Sequence, residues 1–245
     1  SDSIDQIHVD NQQNLYIFGN TINLNAKTFL FWMKFNQNFD LIWKKQIGIP
    51  NLIKVSAVIS MGASNFIIAA NYFNPSNIKK NFWLLKIDTD GEKIWSNEEA
   101  QQNNIDINDM SSDNSGNIYL TGSVEKYSDT NDFYFVKYDS NGALVWGKNF
   151  GSDANDEITA IDFDGISSFY LTGFTEGNYK VFINRGKKDF VYMKYTEDGT
   201  EESSYQFGTE EDDVLNSIIF RNSSEQFLAG YTYGKYHNFN NYGGS

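Results

Sequence analysis

Acidic residues come closest in this sequence to a spacing that could do chemistry. Two connecting segments gather carboxylates, and converging carboxylates can hold a divalent cation such as Ca²⁺. The weak candidates for metal ligands in these segments are Asp153, Asp156, Asp212 and Asp213. We favour the competing interpretation, in which they lie in solvated loops or cap the ends of strands. The sequence therefore predicts no metal site and no cofactor.

A second acidic pattern, Asp-x-Asp/Asn-Gly, occurs at residues 88–91 and 139–142. It resembles part of a calcium-binding EF-hand loop, but a third ligand before the glycine and a distant glutamate are missing at that spacing. An aspartate that opens a four-residue segment and a glycine that closes it are typical of a β-hairpin turn. We interpret both segments as hairpin turns.

The chain offers few groups for catalysis. It has no cysteine, which excludes disulfides, thiolate zinc sites and cysteine nucleophiles. Its histidines, His8 and His237, neither recur nor form a ligand-spaced pair. The formal net charge of −13 disfavours nucleic acid and anionic membranes as partners, because both require a basic surface. No run approaches the roughly 18 apolar residues of a membrane helix, so we predict no membrane insertion and no catalytic residue.

Aromatic side chains interleaved with amides are the remaining candidates for a binding site. Rings supply contact area and amides supply directional hydrogen bonds, a combination that suits glycans and protein surfaces. We expect these residues in long connections, where binding residues concentrate. Segment 176–188, EGNYKVFINRGKK, is the longest internal connection and is locally basic. The predicted binding residues are Tyr179, Phe182, Asn184, Arg185, Tyr72 and Tyr127.

These residues lie in a sequence that repeats the same set of predicted strands. Each copy has a strand that ends on a small residue, an aromatic strand with a lysine, and a last strand with a tryptophan. The small residues are Gly19, Ala70, Gly122, Gly173 and Gly230. The lysines are Lys34, Lys86, Lys137 and Lys194, and the tryptophans are Trp43, Trp95 and Trp146. A glycine also closes the turn before the last strand, except in the first copy, where Phe39 breaks the pattern.

Four short strands per copy and no convincing helical stretch predict an all-β fold, a β-propeller of four-stranded antiparallel blades with a period near 50 residues. Near-continuous apolar runs fit strands that neighbouring blades cover on both faces. We predict one propeller domain over residues 1–245, or a fragment of one. The predicted blades cover about 1–51, 52–103, 104–154, 155–211 and, incomplete, 212–245. The missing strands lead us to expect a longer polypeptide with further blades, or another chain that completes the last blade.

The repeat also resembles a known family. A strand ending in Thr-Gly is followed by Asp-Phe-aromatic-x-Val-Lys-Tyr-Asp-x-x-Gly-x-x-x-Trp and a closing Phe-Gly, and an Asp opens the next copy. This pattern resembles the SBBP-type β-propeller repeats of bacteria, over essentially the entire chain and most closely in 117–156. The resemblance implies a propeller in a secreted, periplasmic or surface-attached bacterial protein, and it implies no reaction.

Two classes of function remain open. The favoured one is a non-enzymatic binding or scaffold propeller, part of a larger secreted or cell-surface protein, which presents Asn/Tyr-rich loops on one face to a protein or a glycan. The alternative is a propeller enzyme, a hydrolase or a quinoprotein-like protein, with carboxylates lining the central channel. The alternative predicts a deep polar pocket with paired carboxylates of perturbed pKa.

Overall fold

A computed structural model describes residues 2–62, 65–76, 78–99, 103–127, 130–222 and 225–235. Every regular element in these ranges is a β-strand, and they contain no helix that could cross a membrane. The strands form five successive antiparallel sheets, here named blades 1 to 5. This confirms the predicted all-β fold with four-stranded blades. The chain divides into two compact units, Ser1–Ile107 and Asn108–Ser245, and a single domain over 1–245 stays a prediction.

The first unit contains two complete blades, in each of which consecutive strands pair. Blade 1 consists of β1 (Asp2–Val9), β2 (Leu15–Ile22), β3 (Thr28–Phe35) and β4 (Leu41–Gly48). Blade 2 consists of β5 (Leu52–Met61), β6 (Asn65–Asn74), β7 (Lys79–Asp88) and β8 (Lys93–Glu99). The hydrophobic core of this unit lies between the two sheets, where Tyr16 and Phe18 of blade 1 pack against Phe66 of blade 2.

The second unit contains the remaining blades. Blade 3 consists of β9 (Ile105–Ser112), which spans the unit boundary, β10 (Ile118–Tyr127), β11 (Thr130–Tyr138) and β12 (Leu144–Phe150). Blade 4 consists of β13 (Asp156–Phe163), β14 (Ser168–Thr175), β15 (Asp189–Thr196) and β16 (Glu201–Phe207). Blade 5 has two described strands, β17 (Asp213–Asn222) and β18 (Glu225–Thr232). Tyr119 stacks on Phe169 across blades 3 and 4, with ring centroids 3.8 Å apart.

In blades 1, 2, 4 and 5 the recurring small residue on the second strand lies opposite a bulge in the first strand. In β13 the register shifts between Ile158 and Ala160, and Ile158 lies opposite Gly173. A Cβ on Gly173 would collide with the carbonyl oxygen of Glu157. The same collision would occur at Gly19 and at Gly230. In blades 1, 4 and 5 the bulge turns a backbone carbonyl toward the second strand, so a side chain has no room there.

The turns between the third and fourth strands are hairpins, as predicted. Asp139 Oδ1 accepts hydrogen bonds from the amides of Asn141 (2.9 Å) and Ala143 (2.8 Å). The carboxylate therefore organises the turn, and Gly142 closes it with φ 83°. Phe39 occupies the same place in blade 1 with φ 64°. The turn geometry is thus kept where the glycine pattern is broken, and an L-residue adopts the left-handed conformation.

The recurring tryptophans pack on these turns. Gly91 of blade 2 lies against the ring of Trp43 of blade 1, and Gly199 of blade 4 lies against the ring of Trp146 of blade 3. A Cβ on Gly199 would come within 3.0 Å of the Trp146 ring. The glycine therefore provides both the positive φ of the turn and the space for the indole of the preceding blade.

Candidate functional site

The 176–188 loop joins β14 to β15 and is anchored by a buried tyrosine. Tyr179 is only 3% exposed and packs in the core between blades 3 and 4. Its hydroxyl donates to Glu201 Oε2 (3.2 Å), and its amide donates to Gln206 Oε1 (2.9 Å). Burial raises the pKa of Tyr179, with the Glu201 carboxylate adding to the shift. The ring predicted to bind a partner holds the loop in place instead.

Amide side chains fix the rest of the loop. Asn178 Oδ1 accepts a hydrogen bond from the amide of Asn184 (2.8 Å), and Asn184 Oδ1 accepts one from Gly186 (2.7 Å). The amide of Arg185 donates to Asp189 Oδ2 (3.1 Å) at the start of β15. Asn184 is thus a structural residue of the loop, and the loop is preorganised by its own polar groups.

The tip of the loop exposes apolar side chains. Val181 is 89% exposed and Ile183 is 76% exposed, whereas Phe182 between them is half-buried. Phe182 is among the binding residues predicted from the sequence, whereas Val181 and Ile183 are not. The sequence does contain an indication of this, because Val181 and Ile183 are β-branched residues that belong to no predicted strand.

The basic character of the loop is largely neutralised inside the protein. Lys180 pairs with Glu201, Lys187 with Glu211 (2.7 Å) and Lys188 with Glu176 (4.0 Å). Arg185 is exposed and makes no ion pair with a carboxylate of the described ranges. The loop tip is therefore apolar, with one cationic side chain beside it.

The two other predicted binding tyrosines lie in strands, not in loops. Tyr72 belongs to β6, is buried in the core of the first unit and donates its hydroxyl to Glu98 Oε1 (2.6 Å). Tyr127 ends β10 and is exposed. Both second strands run on past their small residue because pairing with the third strand continues, as between Tyr72 and Asn81. The predicted connections after β6 and β10 are correspondingly shorter than expected.

Tyr127 and the 176–188 loop lie along the same edge of the second unit. Lys126, beside Tyr127, donates to the carbonyl oxygen of Ser152 (2.9 Å). Gly177 at the start of the loop contacts the side chain of Ser152. Of the predicted binding residues, the structure thus leaves Tyr127, Arg185 and part of Phe182 accessible.

The acidic candidates divide into surface residues and buried caps. Asp153 is exposed and Asp212 is half-buried. Asp156 accepts from the amide and hydroxyl of Ser152, and Asp213 accepts from the amide and hydroxyl of Thr209. Across the described part of the chain, no three His, Cys, Asp or Glu side chains form a group that could hold a metal ion.

A cleft of about 350 Å³ in the first unit is lined by His8, Asp10, Tyr16 and Lys34, among others. Burial lowers the pKa of His8, and the Asp10 carboxylate offsets part of the shift. The Tyr16 hydroxyl donates to Asp10 Oδ2 (3.2 Å), and Lys34 Nζ lies 5.1 Å from the Tyr16 ring. His237 lies outside the described residues.

Blade 3 repeats the polar part of this cleft as a structural motif. The Tyr119 hydroxyl donates to Asp113 Oδ2 (3.0 Å), and Lys137 Nζ lies 3.8 Å from the same carboxylate oxygen and 4.9 Å from the Tyr119 ring. The recurring lysine thus reaches from a strand end to a carboxylate, as a long cationic side chain does when its stem is buried. Recurrence across blades points to a structural role for Asp10, Tyr16 and Lys34.

Two carboxylates of raised pKa, Asp109 and Asp162, lie on first strands, whereas the enzyme alternative predicts such a pair inside a deep polar pocket. Burial raises the pKa of Asp109 to about 6, and Asp162 adds to the shift. Asp109 Oδ2 accepts from the amide of Ile161 (3.0 Å), and Asp162 Oδ2 accepts from the amide of Phe220 (2.7 Å). Both carboxylates thereby link the first strand of one blade to that of the next.

No protein-family model matches the chain, and no curated protein matches it. Solved structures do match. The β-propeller domain of the Trilobed protease from Pyrococcus furiosus, which has an open velcro topology, is 13% identical, with a TM-score of 0.51 over 96% of this chain and 69% of that one. Acylaminoacyl peptidase from Pyrococcus horikoshii is 12% identical, with a TM-score of 0.56 over 96% of this chain and 36% of that one.

The fold is a β-propeller. The four-stranded sheets in sequence and the likeness to a solved propeller domain decide this together. A subtype N10 neuraminidase-like protein, from A/little yellow-shouldered bat, is also similar, with 11% identity and a TM-score of 0.53 over 84% of this chain and 58% of that one. The chain thus spans little more than a third of the peptidase and less than two thirds of the neuraminidase-like protein. At such identities the likeness concerns the fold alone.

Proposed function

We propose that this propeller is a non-enzymatic binding module of a larger secreted or cell-surface bacterial protein, of the SBBP type that its repeat resembles. It binds a protein partner through the tip of the 176–188 loop. The observation that carries the proposal is the exposure of Val181 and Ile183 on a loop that Tyr179 and the amide network hold in one conformation.

Preorganisation matters because a rigid loop loses little entropy when it binds. Burying an apolar side chain of this size in an interface contributes about 1.5–3 kcal/mol. Arg185 beside the tip gives the surface one cationic contact, which suits a partner with an apolar pocket and an acidic rim. Tyr127 on the same edge extends the surface and is the residue best suited to stack on a glycan.

The test compares Val181→Ser/Ile183→Ser with wild type. Each immobilised protein is exposed to the secreted and surface proteins of the source organism, and retained proteins are identified by mass spectrometry and titrated. We expect a partner whose affinity falls by about a hundredfold or more in the double variant. The control is Ile166→Ser, which removes a similar side chain, 63% exposed, from the turn between β13 and β14.

Equal retention by the double variant and wild type would contradict the proposed site. A glycan array supplies the second arm, since glycan binding lost on Tyr127→Ala but kept by the double variant would replace the protein partner with a carbohydrate. Turnover of a hydrolase substrate panel by wild type, lost on Asp109→Asn, would favour the enzyme alternative.

A further inference from the structure

Two pairs of buried aspartates occupy equivalent places in the second unit. Asp132 on β11 lies beside Asp156 at the start of β13, and Asp189 on β15 lies beside Asp213 at the start of β17. In both blades the residue after the first aspartate of the pair is a phenylalanine that pairs with the phenylalanine closing the fourth strand. Each pair therefore joins one blade to the next.

A glycine brings the two carboxylates of each pair together. A Cβ on Gly208 would lie 2.5 Å from Asp189 Oδ1 and 2.8 Å from Asp213 Oδ2. A Cβ on Gly151 would likewise meet both Asp132 and Asp156. The carboxylates thus converge over a residue without a side chain, and any larger residue would separate them.

The two pairs differ in their positive charge. Lys126 Nζ lies 3.3 Å from Asp132 Oδ1, so the first pair has a cation built into the chain. Lys126 follows Val124, the partner of Asp132, by two residues, and Gly177 follows Thr175, the partner of Asp189, by two. The lysine of blade 3 is therefore replaced by glycine in blade 4.

The second pair has oxygens without any partner. Asp189 Oδ2 accepts from Gln206 (3.0 Å) and from the amide of Arg185 (3.1 Å), and Asp213 Oδ2 accepts from Thr209. Oδ1 of Asp189 and Oδ1 of Asp213 accept no hydrogen bond from any described residue, although both residues are 0% exposed. A buried carboxylate oxygen without a partner is costly, and one such oxygen on each of two neighbouring carboxylates is more so.

We propose that Asp189 and Asp213 form a cation site at the junction of blades 4 and 5, with a divalent ion of the calcium type in the place that Lys126 takes in the equivalent pair. Ca²⁺ accepts carboxylate oxygens together with hydroxyl, carbonyl and water oxygens in irregular geometry. Two carboxylates match its charge and leave the other positions to such neutral oxygens.

A cleft adjoins the site. A cleft of about 590 Å³ is lined by Gly208 and Thr209, the residues that contact the two carboxylates. Glu210 and Glu211 also line the cleft, and their negative charges attract cations. Arg185 and Lys235 line it too, and their positive charges repel cations. Neither aspartate lines the cleft, so Gly208 and Thr209 separate it from the two buried carboxylates.

The experiment measures the melting temperature of the EDTA-treated chain during titration with CaCl₂, with NaCl of equal ionic strength as the reference. We expect a saturable rise, about 5–10 °C at a hundred times the Kd. Asp189→Asn keeps the shape of the residue and should abolish the rise. Asp132→Asn is the matched control, because it alters the equivalent pair, and the rise should persist.

Equilibrium dialysis with radioactive Ca²⁺ on wild type keeps the test decisive if Asp189→Asn does not fold. One bound ion per chain supports the site, and no bound ion overturns it. A rise in melting temperature that Asp132→Asn and Asp189→Asn remove equally also overturns it. If the carboxylates share a proton instead, the melting temperature responds to pH but not to CaCl₂, and the site is likewise refuted.

Discussion

At the scale of single residues, Phe39 shows that the chain keeps its turn geometry at a cost. Its φ of 64° lies in the left-handed region, where an L-residue is destabilised by about 1–2 kcal/mol relative to glycine. Its ring is 75% exposed and contributes little packing. We therefore expect Phe39→Gly to raise the free energy of unfolding by about 0.5–1 kcal/mol, after the entropy of the added glycine is subtracted.

Urea unfolding at pH 7 measures this change, and Asn38→Gly is its control. Asn38 is in the same turn and exposed, but it is not among the residues with positive φ. A glycine there adds only unfolded-state entropy and should lower the stability slightly. If Phe39→Gly lowers the free energy of unfolding as much as Asn38→Gly does, the left-handed conformation of Phe39 does not destabilise the turn.

Among the elements, successive sheets contact each other where a turn glycine of one blade packs on the tryptophan of the preceding blade. Gly199→Ala would add a Cβ within 3.0 Å of the Trp146 ring and place an alanine at φ 81°. The backbone contribution is about 1–2 kcal/mol. Overpacking against the indole adds about 1–3 kcal/mol, so we expect a total loss of about 2–5 kcal/mol.

Gly165→Ala separates the two contributions. Gly165 also has a positive φ, 78°, but a Cβ there would meet nothing within 4 Å. Its variant should lose only the backbone contribution. The difference between the two alanine variants in chemical unfolding therefore reports the packing on Trp146 and on the side chain of Lys148, whose Cε would lie 2.8 Å from the added Cβ. Equal losses would mean that the tryptophan contact does not link the blades.

The strands and turns were predictable because they depend on local chemistry. The apolar runs and the Asp-to-Gly turns can be recognised within a few residues, and their recurrence gives the period. The four-stranded blades follow from these features. The structural role of Tyr179 was not predictable, because its burial depends on Gln206 and Glu201 of another strand. The same holds for Asp189, whose neighbour Asp213 lies in the next blade. Residues whose role is set by the adjacent blade look like ordinary polar or aromatic residues in the sequence.

At the scale of the whole molecule, burial of acidic groups in an acidic protein determines how stability depends on pH. Burial raises the pKa of Asp156 from its ordinary 3.8 to about 6, and burial likewise raises that of Asp109 to about 6. In such groups the folded state holds its proton longer than the unfolded state. Their contribution to stability is therefore present below about pH 4 and is lost as the pH rises to about 6.

Other carboxyl groups oppose this trend at lower pH. Burial raises the pKa of both Glu201 and Asp10, but other contacts lower each pKa overall. Glu201 is in contact with Lys180, Ser204 and Tyr195, and Asp10 accepts several hydrogen bonds. Their contribution is present above their ordinary pKa and is lost as the pH falls through the folded value. The net charge of −13 adds repulsion at neutral pH. We expect the melting temperature in EDTA to rise from pH 7 to a maximum near about pH 5 and then to fall.

Asp156→Asn isolates one carboxyl group within this profile. Asparagine can keep both contacts with Ser152, because its oxygen can accept from the amide and its NH₂ can donate to the hydroxyl. It cannot carry the buried charge beside Asp132. The free energy of unfolding of the variant should therefore exceed that of wild type by about 1–3 kcal/mol at pH 7. The difference, measured by urea unfolding at each pH, should disappear below about pH 4. Asp153→Asn, on the exposed part of the same connection, is the control and should follow wild type throughout. A difference that stays constant with pH would show that packing, and not ionisation of Asp156, separates the two proteins.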